Sequence, residues 1–319
     1  MKAILCLKYA SAKALQVQEI PKPEPGAGSV LVKVRATAIN DFDWSLIRGK
    51  PLLYRLLFGL RKPKTPIPGI EFSGTVEAIG TGVSSFSVGD AVYGDISGFG
   101  WGTFAEYCCV PEESILPMPD NMSFEEAAAI PHASMLALQG LLDVGGIKKG
   151  MKILINGAGG GVGAYGVQIA KIYEAEVTGV DAQSKLEGMR AIGYDQVLDY
   201  KKVDFTKNGQ QYDLILDAKT NRAPKAYARA LNPGGKYVTV GGSLSRLIQV
   251  VLANKLGRKE MYLLALKPNK GLEQISAWFA AGKIKPVIDG PYKLEEIPPM
   301  LQYFGEGKHQ GKVIVSLPE

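Results

Sequence analysis

The rhythm of apolar and polar positions changes along the chain. Over residues 1–121 it alternates as in half-buried strands, most clearly at 30–38 (VLVKVRATA), 72–79 (FSGTVEAI), 91–93 and 103–110 (TFAEYCCV). Proline and glycine clusters at 21–26, 66–69 and 98–102 punctuate these runs as turns. At Ser123 the spacing becomes helical. Ser123 and Glu126 form a capping box, an alanine-rich helix follows to Ile130, Pro131 interrupts, and a second helix is predicted through Leu142. Strands at 153–155, 176–180, 196–199, 213–217, 236–240 and 261–266 then alternate with helical segments such as 185–191, 223–230 and 244–253. Short apolar runs alternating with helices predict a parallel sheet of six strands covered on both faces. After residue 267 the pattern reads helix (272–281), loop, helix (294–304) and a last strand (312–317). That strand has no place in the parallel sheet and is expected to return to the β-rich region. The predicted domains are therefore 1–121 with 267–319, and 122–266.

The turn after the first parallel strand carries the most chemistry. Ile153 to Ile155 break into Gly157, Ala158, Gly159, Gly160, Gly161, Val162 and Gly163, after which Val162, Tyr165, Ile169 and Tyr173 recur at helical spacing. A strand, a glycine turn and a helix N-terminus present backbone N–H groups to a pyrophosphate with no Cβ in the way. The pattern is GxxGxxG from Gly157, or Ala158-x-Gly160-x-x-Gly163 one residue later, and not the strict GxGxxG. A tight loop between buried elements would share that composition. The next strand, however, ends on Asp181, 18 residues after Gly163, close to where a dinucleotide fold places the acid that binds the adenosine ribose. Together these point to a nicotinamide dinucleotide.

Composition narrows the class. The 319 residues are 46% hydrophobic and 21% charged, as expected of a globular protein of about two domains. A net charge of +6 without a basic–aromatic cluster gives no case for nucleic acid. No apolar run is long enough to span a bilayer, and residues 1–9 read as a strand with no signal-peptide pattern. Cys6, Cys108 and Cys109 suit neither a disulfide framework nor a structural zinc site, which favours a reducing, cytoplasmic setting. The segment 49–64 (GKPLLYRLLFGLRKPK) mixes Leu, Tyr and Phe with five basic residues. It packs on the β-rich domain, covers a substrate mouth as a lid, or touches a lipid surface. The apolar strand at 261–266 would lie at a sheet edge, and an uncovered edge predicts a homodimer.

This architecture resembles the medium-chain dehydrogenase/reductase superfamily, in particular its zinc-independent quinone oxidoreductase branch. The resemblance covers nearly the whole chain. It rests on residues 38–43 (AINDFD), 68–74 (PGIEFSG), 88–94 (VGDAVYG), 102–107 (GTFAEY), 127–131 (AAAIP) and 307–313 (GKHQGKV), together with the turn at 156–163. It implies a GroES-like β-rich catalytic domain joined to a Rossmann domain with a doubly wound six-stranded sheet. It also implies bound NADP(H) or NAD(H) and a quinone or α,β-unsaturated carbonyl as hydride acceptor. Zinc relatives place a Cys where Asn40 stands and a His where Ile70 stands, so the resemblance implies no zinc here, with His132 a packed or pocket residue. A conjugated acceptor suits a metal-free site, because charge spreads to an oxygen that donors and water stabilise.

Asn40 and Asp43 match the branch's Asn-x-x-Asp. Asn40 would donate to the substrate carbonyl and Asp43 would hold water or orient a donor; the pair would equally cap a loop. Ser45 stands where many relatives have a proton-donating Tyr, leaving Tyr54 and Tyr93 as substitutes. Asp181 favours NAD(H), whereas Lys185 and Arg190 would attract the 2′-phosphate of NADP(H). Tyr200 flanks the adenine or packs in the core, and Gly241 and Gly242 end the fifth strand where the family's backbone meets the nicotinamide. Two alternatives share this fold: a 2-enoyl thioester reductase, and a dinucleotide-binding or membrane-associated relative without turnover.

Overall fold

The structure is a computed structural model that describes residues 1–256 and 260–318, with the backbone alone at Tyr54 and Leu57. It comprises two compact units, Met1–His132 with Ile288–Glu319, and Ala133–Val287. These limits differ from those expected at 121/122 and 266/267, for two packing reasons. Ala128 and Ala129 of the capped helix pack on Ala36, Ala38 and Ile314, which ties that helix to the β-rich unit. Downstream, the Gln139 side chain bonds the backbone of Lys267 and Lys270, and a Cβ at Gly271 would lie 2.5 Å from Leu138. That holds residues 267–281 to the parallel-sheet unit.

The first unit contains β1 (Lys2–Leu5), β2 (Gln16–Glu19), β3 (Ser29–Ile39), α1 (Asp41–Arg48), α2 (Leu53–Phe58), β4 (Glu71–Ile79), β5 (Ala91–Asp95), β6 (Tyr107–Pro111), β7 (Leu116–Pro117) and α3 (Phe124–Ala129). Strand β3 is its axis: it pairs antiparallel with β4 and β6, and at residues 36–39 with the chain's last strand. Its alternating apolar residues Val30, Val32 and Val34 enter a core with Ile4, Phe72, Phe104 and Val110. Ser123 caps α3 by accepting from the Glu126 N–H at 3.2 Å while Glu126 accepts from the Ser123 N–H, as the sequence pattern predicts.

Helix α4 (Pro131–Leu138) begins in the first unit and continues from Ala133 in the second, which adds β8 (Lys152–Asn156), α5 (Gly161–Ile172), β9 (Glu176–Asp181), α6 (Leu186–Ala191), β10 (Gln196–Asp199), β11 (Tyr212–Asp217), α7 (Pro224–Arg229), β12 (Leu231–Thr239), α8 (Leu244–Lys255), β13 (Glu260–Leu263) and α9 (Leu272–Ala280). The predicted helix through Leu142 changes to a wider π turn from Gln139 to Val144. All six strands run parallel in the order β10-β9-β8-β11-β12-β13, the doubly wound order 3-2-1-4-5-6. The order reverses beside β8, so the loops at the C-terminal ends of β8 and β11 flank the switch point where such sheets bind ligands. The chain re-enters the first unit with β14 (Ile288–Tyr292), α10 (Ile297–Gly305) and β15 (Lys312–Ser316), and β15 lies antiparallel to β3.

Candidate active site

In the second unit the glycine turn is shaped by what would collide with a side chain. Gly157 has φ +87°, which L side chains rarely adopt. A Cβ on Gly163 would sit 2.3 Å from the Ala158 carbonyl oxygen, and one on Gly159 would meet the Lys185 side chain at 2.6 Å. Helix α5 starts at Gly161, and its first turn closes with Ala164 N–H donating to Gly160 O. The N–H groups of Gly161, Val162 and Gly163 therefore precede the intrahelical ladder, as an anion site at a helix N-terminus requires. Tyr194, unforeseen from the sequence, props the turn: its hydroxyl donates to Gly163 O at 2.9 Å. Burial raises that phenol well above its usual range.

Asp181 stands at the end of β9 as expected, and its carboxylate is already engaged. Oδ2 accepts from the Gly159 N–H at 2.9 Å and Oδ1 from the Ala182 N–H at 2.8 Å, with Lys185 Nζ 3.9 Å from Oδ1. Asp181 thus ties the glycine turn to β9, and the buried Lys185 lies beside it. Lys202 Nζ reaches the same loop, donating to Gln183 Oε1 at 3.1 Å. Tyr200 follows β10 and is 47% exposed, so it is not a core residue. Arg190 is exposed on α6.

Under the C-terminal ends of β8, β11 and β12 lies a buried polar network that sequence reasoning missed. Asp217 Oδ1 accepts from Asn156 Nδ2 at 2.8 Å and from the Thr220 N–H at 2.9 Å, while Oδ2 accepts from the Tyr237 hydroxyl at 2.8 Å. Burial, and then the Asp217 charge, push the Tyr237 hydroxyl upward, so it remains a donor. Thr220 and Thr239 both donate to Gly241 O. A Cβ on Gly242, at φ +145°, would lie 2.5 Å from Thr220 Cβ, whereas one on Gly241 would meet nothing within 4 Å. The backbone at Gly241 is held from below and open above.

In the first unit, Asn40 and Asp43 open α1. Asp43 accepts from the Asn40 N–H at 2.9 Å and from the Gly69 N–H at 3.0 Å, the capping arrangement offered as the alternative role for this pair. Burial pushes the Asp43 carboxyl up to about 7 against the pull of those two donors. The Asn40 amide nitrogen donates to Glu71 Oε1 at 2.8 Å and, more weakly, to Ala38 O at 3.3 Å. Its oxygen accepts from Lys312 Nζ at 2.7 Å, and Lys312 also pairs with Glu71. Glu71 Oε2 accepts the His132 N–H at 2.8 Å, and the Thr37 and Thr103 hydroxyls both bond Glu71 O. Glu71 lies opposite Asp95 across the β4–β5 ladder, and Asp95 Oδ2 is 2.7 Å from His132 Nδ1. Burial opposes charging of His132, but the Asp95 carboxylate outweighs it and raises the imidazole above its ordinary value. Burial opposes ionisation of Asp95 likewise, yet His132 and Ser97 bring it below the usual carboxylate range.

This donor set does not fit zinc. A catalytic zinc needs about three converging thiolate, imidazole or carboxylate ligands. Here Asn40 and Ile70 stand at two such places, the His132 ring faces Asp95, and the cation seated on Glu71 is the Lys312 ammonium. Among the described residues no group of three or more His, Cys, Asp or Glu is placed to hold a metal. Ser45 is buried in α1, Tyr93 is wholly buried in the β5 core, and the Tyr54 side chain lies outside the described residues.

A GroES-like sheet, a doubly wound sheet with a glycine turn, and an acid-terminated second strand define an oxidoreductase of the medium-chain dehydrogenase/reductase class. Family models agree: residues 26–120 match the alcohol dehydrogenase GroES-like domain, and residues 192–315 match the zinc-binding dehydrogenase domain. A chloroplast envelope quinone oxidoreductase homologue of Arabidopsis thaliana is 31% identical over 98% of this chain and 98% of its own length. A 2-methylene-furan-3-one reductase of Solanum lycopersicum is 30% identical over 99% of this chain and 79% of its own. The solved quinone oxidoreductase of Coxiella burnetii superposes with a TM-score of 0.90 at 25% identity, covering 100% of this chain and 99% of that one. The chain belongs to the medium-chain dehydrogenase/reductase superfamily, in its quinone oxidoreductase branch.

Proposed function

We propose that the protein is a zinc-independent, NADP(H)-dependent reductase of quinones or α,β-unsaturated carbonyls. The observation that carries this reading is the Lys312 ammonium held by Glu71 and Asn40, which supplies the site's own buried cation where zinc relatives need a metal. When bound, the dinucleotide supplies the hydride. The chain's part is to seat its pyrophosphate on the amides of Gly157 to Gly163 and its nicotinamide half on the open backbone of Gly241 and Gly242. The loop holding Asp181, Lys185 and Tyr200 takes the adenosine end. NADP(H) is favoured because Asp181 is compensated by two N–H groups and by Lys185, while Lys202 adds positive charge beside it. In the first unit, the Asn40 amide hydrogen held only by the 3.3 Å contact to Ala38 O is the one to turn toward an acceptor's oxygen, with Asp43 fixing the loop. Lys312, by holding the amide oxygen, orients that donor, and bulk water supplies the proton.

The three unpaired thiols suit a cytoplasmic setting. The protein assembles as a homodimer through β13, at the sheet edge, and the outward stripe Ile248, Val251 and Leu252 of α8 with Leu256 just after it. The deciding assay follows NADPH and NADH absorbance with 9,10-phenanthrenequinone, a short enone and crotonyl-CoA. Turnover of the quinone or enone with NADPH is expected. Tight NADPH binding with no turnover of any acceptor would refute it, as would activity that requires added zinc.

A further inference from the structure

Helix α2 and the turn after it face outward with their apolar side. Phe58 packs inward, its ring 5.6 Å from Phe42 and 5.0 Å from Trp101. Arg55 also turns inward, over Tyr9 and onto Gly49 O at 3.2 Å. The leucines are left in solvent: Leu52 is 69% exposed, Leu56 67% and Leu60 67%, with Leu53 at 41%. Leu52 and Leu56 stand four residues apart on one helical face, and Leu60 follows the turn at Gly59, so with Leu53 they form one apolar stretch in the chain and not scattered singles. Gly59, at φ +124°, folds the following segment back on the helix end, where the Lys64 N–H donates to Phe58 O at 2.7 Å. A Cβ there would lie 2.1 Å from Lys62 O, so the turn depends on glycine. It brings the exposed Arg61, Lys62 and Lys64 beside the leucines, with Lys50 exposed at the other end. Between Asp43 and Glu71 the sequence contains no acidic residue.

We propose that this stretch docks on an anionic phospholipid surface. The leucines enter the boundary between headgroups and acyl chains, and the basic rim meets the headgroup charge. The charge decides against the other occupants. A second copy related by a two-fold axis would set this basic patch against itself. A nucleic acid would satisfy the lysines through phosphates but leave the leucines in water. Of the three roles open to segment 49–64 from the sequence, Phe58 and Arg55 take the packing one, and the exposed leucines are left for a surface contact.

The test is sedimentation of the full-length protein with vesicles of phosphatidylcholine alone and of equal parts phosphatidylcholine and phosphatidylserine. Binding is expected to the mixed vesicles only, and to weaken strongly near 1 M salt, where the screening length is about 3 Å. Lys62→Ala/Lys64→Ala should weaken it about twenty-five-fold, at about fivefold per charge. Leu56→Asp/Leu60→Asp should abolish it, with the melting temperature of both variants unchanged. Four outcomes overturn the proposal: no binding to either vesicle; equal binding by wild type and both variants; a smaller oligomer for Leu56→Asp/Leu60→Asp by light scattering, which assigns the stretch to a second copy; and duplex DNA binding lost on Lys62→Ala/Lys64→Ala but not on the leucine change.

Discussion

Replacing Lys312 by Met tests the buried cation directly. Lys312 is 4% exposed and Glu71 is fully buried, so neither charge is solvated by water. After the substitution Glu71 keeps the Asn40 Nδ2 and His132 N–H donors, both at 2.8 Å, but loses its counter-charge, and Asn40 Oδ1 loses its donor. Stranding one member of a buried pair costs about 3–5 kcal/mol. Glu71→Gln strands the ammonium instead and turns an amide NH₂ toward a neighbouring donor, a penalty of about the same size. The double variant buries no charge at this place, so its cost should fall short of the sum of the singles by at least about 2 kcal/mol. Urea titrations followed by tryptophan fluorescence measure this, since Trp44 and Trp101 lie in the first unit. Quinone turnover should fall in each single variant, because Asn40 loses either its anchor or its acceptor. A cost below about 1 kcal/mol for Lys312→Met, or additivity within about 0.5 kcal/mol, would refute the account of a cation held in compensation for burial.

Three other substitutions follow from the same geometry. Asp43, raised from 3.8 to about 7, binds its proton more readily folded than unfolded; it therefore contributes stability below about pH 4 that is lost as pH rises to about 7. The full swing is about 4 kcal/mol, and Asp43→Asn should flatten the melting temperature between pH 4 and 7 in circular dichroism; an unchanged slope would count against it. Lys185→Ala should weaken NADPH binding about tenfold and NADH binding much less, read by nucleotide fluorescence; equal losses would remove Lys185 from 2′-phosphate recognition. Gly163→Ala drives a Cβ into Ala158 O and should cost about 1–3 kcal/mol and most of the nucleotide affinity, by calorimetry; a wild-type Kd would contradict the turn's assigned role.

The parallel sheet and its glycine turn were legible in the sequence because their causes are local. A strand period, a helix period and glycines where a Cβ has no room all lie within about twenty residues. The Ser123–Glu126 capping box is legible for the same reason. The partner of Asn40 is not: Lys312 stands 272 residues away, and only the antiparallel pairing of β15 with β3 brings them together. Nor does sequence order tell which way α2 turns its leucines, since the direction is set by Phe58 docking on Phe42 and Trp101.

Asp181 differs most between its bare residue type and its folded surroundings. Its place at the end of β9 is visible in the sequence, and an acid there reads as a ribose acceptor that repels a 2′-phosphate. That reading treats the carboxylate as free. In the fold both oxygens face backbone N–H groups, one from the glycine turn itself, and a buried lysine stands 3.9 Å away. A carboxylate so compensated projects far less negative charge onto a ligand than the same residue alone. Asn40 is constrained in the same way, its amide positioned by a carboxylate on one side and an ammonium on the other. At both places residue type gives the chemistry available, and the partners already present decide what is left for a ligand.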